Sequence, residues 1–135
     1  MESSKEGNKP IHILEMLIQA AKSEDWGIVD EELSEIANLP EAISWVFNDG
    51  LRSRDENIRD LAVSILEKSN HTLDDEGRAV LLGMMNSDKG MYVQTRAAFA
   101  LYVHGDRSPE VVAKIKEALF DPEVSEIAKK YLAQK

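Results

Sequence analysis

One pattern returns along the chain and decides what it can fold into: Ile or Val, then Ala four positions later, then Leu four later. It stands at Ile58, Ala62 and Leu66, recurs 35 positions on at Val93, Ala97 and Leu101, and recurs 31 further on at Val124, Ala128 and Leu132. A spacing of four places all three residues on one stripe of an α-helix. The small middle residue marks where another helix comes close. A shift of 30 carries the pattern back into the first quarter, with Ile13 on Ile43, Asp25 on Asp55, Ile28 on Ile58 and Ile36 on Leu66. Glu32 takes the Ala position there, so the first copy is degenerate, as terminal repeats often are. Each period holds two helices and their turns.

The punctuation agrees. Pro40, Pro109 and Pro122 suit first helical positions, with Ser108 and Asp121 as caps ahead of two of them. Asp25 and Asp55 are placed to cap second helices. Asn48-Asp49-Gly50 and His104-Gly105-Asp106 read as helix stops with a left-handed glycine. Eight helices are predicted, near 11–23, 26–38, 40–51, 55–69, 75–87, 90–104, 109–119 and 122–133. No strand is expected, because alternation is absent. The expected organisation is a flexible polar tail over 1–10 and a single repeat domain over 11–135.

At these residues the chain resembles the HEAT family, in the short form found in phycobilisome-lyase-type proteins. The fullest copies are Asp88-Lys-Gly-Met-Tyr-Val93-Gln-Thr-Arg-Ala97-Ala-Phe-Ala-Leu101 and Leu119-Phe-Asp121-Pro122-Glu-Val124. Family repeats commonly follow that Val with Arg. Here Ile58-Arg59 keeps it, while Val29, Gln94 and Ser125 replace it, so the Asp–Arg ladder is incomplete. The resemblance implies an all-α, right-handed α-α superhelix of about four helix pairs. It also implies a scaffold or adaptor that binds protein on its concave face, or an accessory subunit of a lyase-type enzyme.

Chemistry-bearing patterns are sparse. With no cysteine, disulfides, thiolate catalysis and cysteine-held metals drop out. His12, His71 and His104 have no metal-ligand spacing on one helix face. Asp30-Glu31-Glu32-Glu35 lacks the glycine turn of a calcium loop and reads as a solvated face near a helix start. No phosphate loop or nucleophile elbow is present. No catalytic residue, metal or cofactor is therefore expected. Net charge is −9, with −8 of it in residues 1–70. That balance repels phosphate backbones and argues against nucleic acid; it reads as a solvated, solubilising surface or, alternatively, as attraction to a basic protein partner. At 43% hydrophobic and 30% charged, the composition is that of a globular protein. No apolar run long enough for a membrane span or secretory leader occurs, so the expected compartment is the cytoplasm.

Two surfaces break the pattern. Positions opposite the stripe are mainly polar in three copies: Asn57, Asp60, Ser64 and Glu67 in the second, for instance. In the third they are Tyr92, Thr95, Phe99, Tyr102 and Val103. Tyr92, Phe99, Tyr102 and Val103 are the candidate partner-binding residues. Two readings stay open: an exposed patch, or core covered by the connection around 69–75 or by a second subunit. Trp26 and Trp45 adjoin apolar stripes and read as core or end-capping residues. In the first helix only His12, Glu15, Gln19 and Lys22 form a polar stripe, leaving an apolar arc too wide for a surface helix. Either the chain's own second and third helices bury it, or a second copy does in a symmetric dimer through Ile13, Met16 and Ala20.

Overall fold

The structure is a computed structural model that describes residues 2–134, with side chains from residue 12 onward. Eight α-helices run through the described residues: α1 (Glu2–Lys22), α2 (Trp26–Ile36), α3 (Pro40–Asn48), α4 (Glu56–Lys68), α5 (Asp75–Ser87), α6 (Met91–Val103), α7 (Pro109–Ala118) and α8 (Ser125–Leu132). No strand occurs among them. None of the described helices is long and apolar enough to cross a membrane. The expected tail behaves differently from its composition: residues 2–10 continue α1, with Pro10 inside the helix, where it has no N–H to donate to the preceding turn. Residue 1 lies outside the described residues.

The chain divides into two compact units, Met1–His71 and Thr72–Lys135. In the first, α4 is the central helix and packs on α1, α2 and α3. In the second, α6 holds that place and packs on α5, α7 and α8. The stripe explains both choices. Ala62, Ala97 and Ala128 have no exposed surface, and Ile58, Leu66, Val93, Leu101 and Val124 are buried with them. In α2 the first two stripe positions run one residue later than the shift of 30 placed them, while Ile36 is fully buried where the shift put it. Val29, Leu33 and Ala37 are buried, and Ile28 is 36% exposed. One residue is about 100° of helix rotation, enough to move a side chain from core to surface. The polar face expected on α4 is also partly enclosed, since Ser64 and Glu67 are both buried.

Local chemistry sets the helix ends. Asp55 caps α4, its Oδ1 accepting the Asn57 N–H at 2.8 Å. Asp74 does the same for α5 through the Gly77 N–H at 2.7 Å. Asp25 makes no such bond to α2, and the Ser108 hydroxyl makes none to α7. Asp121 instead caps a turn, accepting from the Glu123 N–H at 3.0 Å, so α8 starts at Ser125 and Pro122 is not its first residue. The turns into α4 and α6 share one further device. Arg59 Nη1 donates to the Ser53 carbonyl at 3.1 Å, and Gln94 Nε2 donates to the Asp88 carbonyl at 2.6 Å. Each donor follows the first stripe residue and reaches back six positions.

Helix α6 ends as its glycine requires. Gly105 has φ +102°, the Asp106 N–H donates to the Leu101 carbonyl at 2.9 Å, and the Gly105 N–H donates to that of Tyr102 at 3.1 Å. This pair of bonds satisfies the last carbonyls of the helix. Helix α1 ends with the same pair, from Asp25 to Ala20 and from Glu24 to Ala21, but Glu24 holds the left-handed position at φ 60°. A β-carbon on Gly105 would meet no atom within 4 Å. Gly105→Ala should therefore cost only its backbone conformation. The left-handed region costs roughly 1–2 kcal/mol, partly offset by a stiffer unfolded chain, for a net loss of about 1 kcal/mol in urea denaturation.

Candidate protein-binding surface

Helix α6 carries all four residues expected to bind a partner, and the structure separates them. Phe99 has no exposed surface and Tyr102 is buried. The cause is α8, which packs on α6 and brings Tyr131 against both rings. Phe99 and Tyr131 centroids are 5.3 Å apart, and Tyr102 and Tyr131 centroids 6.0 Å apart. Arg107 stands 3.9 Å from the centroid of the Tyr102 ring and donates to its hydroxyl at 3.1 Å, so the polar tip is satisfied. Phe99 and Tyr102 are thus covered, by α8 rather than by the connection around 69–75 or a second subunit. Tyr92 and Val103 remain exposed but stand at opposite ends of α6, about 16 Å apart at 1.5 Å per residue.

Tyr92 is not alone at its end. Met91 beside it is 76% exposed, Tyr92 itself 41%, and Phe120, just past the end of α7, 90%. The packing of α6 on α7 fixes the register that places these residues at one end of the second unit. Lys114 Nζ, in the last turns of α7, donates to Gln94 Oε1, in the first turn of α6, at 2.8 Å. The same lysine pairs with Glu117 at 3.5 Å. The Tyr92 hydroxyl is held above the usual phenol range, first by desolvation and then by the carboxylates of Asp121 and Glu123. The surface is thus two exposed apolar side chains and a phenol, with two carboxylates acting on the phenol. Met91 and Phe120 were missed as site residues because neither sits on a helical stripe. The signal that could have found Phe120 is its type and place, a large aromatic in the turn Leu119-Phe120-Asp121-Pro122.

The first unit holds an open groove of about 640 Å³ lined by Asn38, Pro40, Ile43, Ser44, Asn70 and His71. Asn38 Oδ1 accepts the Asn70 N–H at 2.6 Å and pins the segment after α4 against the α2–α3 turn. Phe47 packs its ring 5.7 Å from that of His71. The lining has one titratable group and no carboxylate, which leaves no acid/base pair there. A bond across 32 residues gives no periodic signal, so the groove was not legible in the sequence.

Of the residues expected to self-associate, Met16 is 42% exposed, Ile13 is half-buried and Ala20 is buried. Ala20 therefore does not belong to an open face: it lies in the last buried turn of α1, where the chain turns into α2. His12 and His71 are exposed and His104 is half-buried. No group of three His, Asp or Glu among the described residues is placed to hold a metal ion. No protein-family model, no curated protein and no solved structure matches this chain.

Proposed function

We propose that the chain is a HEAT-like repeat protein, its helix pairs forming a right-handed α-α superhelix, and that it works as a non-catalytic protein-binding scaffold. The observation that carries this reading is the exposure of Met91, Tyr92 and Phe120 at one end of the second unit. Single exposed apolar residues are ordinary on any surface. Three large ones gathered at one end beside carboxylates have the composition of a contact centre with a polar rim. The repeated turn device before α4 and α6 supports the repeat reading, since two parts of the chain solve one geometric problem in the same way.

Site-specific photocrosslinking tests the proposal. A benzophenone side chain placed at Phe120 should give discrete protein adducts in native lysate, while the same probe at Ala113, exposed on α7, should not. Adducts of equal yield from both positions, or none at Phe120, would remove the basis for a scaffold that uses this surface.

A further inference from the structure

We infer that Asn70 and His71 form a strap that Asn38 latches against the first unit, so that one wall of the groove beside α3 opens and closes on a single hydrogen bond. The inference stands apart from the scaffold reading and concerns the other candidate surface. The strap begins at a fixed point. Ser69 is buried at the end of α4, its N–H donates to the Ile65 carbonyl at 3.0 Å, and its hydroxyl donates to the Leu66 carbonyl at 3.0 Å. Asn70 and His71 beyond it are exposed and belong to no helix. Two long-range contacts hold them. The Asn70 N–H donates to Asn38 Oδ1 at 2.6 Å, and the His71 ring lies 5.7 Å from that of Phe47. The chain is buried again at Leu73, which limits an opening to residues 70–72. The groove takes its lining from both sides of this closure: Asn38, Pro40, Ile43 and Ser44 from the α2–α3 turn and α3, Asn70 and His71 from the strap. When the strap leaves, the groove loses a wall. The contacts are suited to a latch rather than a fixed wall. An exposed hydrogen bond is exchanged for one to water at little net cost. A segment with exposed backbone bonds and no buried apolar side chain belongs to the part of a fold that opens most easily.

Amide hydrogen exchange on the full chain, read residue by residue by NMR, tests the latch. Asn38→Ala should speed exchange of the Asn70 amide about fivefold, the usual net contribution of one hydrogen bond expressed as an opening constant. It should also weaken the nuclear Overhauser contact between the His71 and Phe47 rings, because both contacts hold one segment. Asn38→Asp keeps an acceptor oxygen and should restore both signals. His71→Ala reaches the latch from the strap side, at an exposed position that does not threaten the core, and should speed Asn70 exchange as well. The control Asn48→Ala removes a side-chain bond to Ser44 elsewhere on α3 and should change neither signal. An Asn70 amide that exchanges at the wild-type rate in Asn38→Ala would overturn the inference. So would faster Asn70 exchange with the His71–Phe47 contact intact, since that describes two independent contacts and no strap. Equal acceleration at the Leu61 and Ile65 amides, in the buried middle of α4, would reduce the effect to a loss of global stability and end the inference too.

Discussion

Phe99→Ala should destabilise the protein by about 3–5 kcal/mol, the usual range for emptying a fully buried phenylalanine site. The ring has no exposed surface and packs on Tyr131, which also touches Tyr102, so truncation leaves a cavity among large rings. Rings at this spacing also contribute about 0.5–1.5 kcal/mol beyond their buried area, and that term disappears with the side chain. Urea denaturation followed by far-UV ellipticity measures the loss. A change under about 1 kcal/mol, within the usual scatter of surface substitutions, would place Phe99 on the surface after all. The same packing decides how a polar variant must be read. Phe99→Asp would lose partners because the fold around α8 fails, not because a contact residue is gone.

Gly50→Ala should destabilise by about 1–3 kcal/mol through overpacking, although alanine suits the backbone there. Gly50 does not occupy the left-handed region that Gly105 does. On backbone grounds alone, alanine would add about 0.4–1 kcal/mol of stability by stiffening the unfolded chain. The sign therefore turns on space. A β-carbon would stand 2.7 Å from Ala62 Cβ, 2.9 Å from Trp45 Cζ3 and 3.0 Å from Trp45 Cη2. The half-buried indole could swing aside, but Ala62 Cβ is fixed to the backbone of α4 and yields only if that helix moves. A stabilised or unchanged Gly50→Ala protein in the same denaturation experiment would show that this close approach is not maintained in solution.

The fold was legible where one physical rule acted alone. Ala62, Ala97 and Ala128 announced their burial because a small residue in the middle of an apolar stripe has little other reason to recur. Asp55 announced its cap because the acceptor and the helix start are adjacent in sequence. Legibility failed where two explanations gave the same pattern. An aromatic opposite the stripe fits a binding surface and fits a second packing face equally well. Only the position of α8, set by a turn that Asp121 rather than Pro122 organises, separates them for Phe99 and Tyr102. Gly50 failed for the opposite reason. Its place after Asn48-Asp49 matches a left-handed stop, but the chain passes into a 3-10 turn over Gly50–Arg52, and the glycine is required by α4. The candidate surface was the least legible of all. Met91 opens α6 and Phe120 follows α7, and helical periodicity carries no information about residues that lie off the stripes.

The paired donors of Arg59 and Gln94 bear on how such chains can be related to one another. One side chain is a cation and the other a neutral amide, yet both span the same gap to a carbonyl. What the two turns share is reach and a donating nitrogen. A signature written as alternating acids and arginines would pass over the second turn while the geometry it encodes persists. In a lineage drifting under that constraint, the backbone would outlast the ionic pattern that first described it. Kinship among such turns would then be sought in the offset between donor and acceptor rather than in the letters themselves.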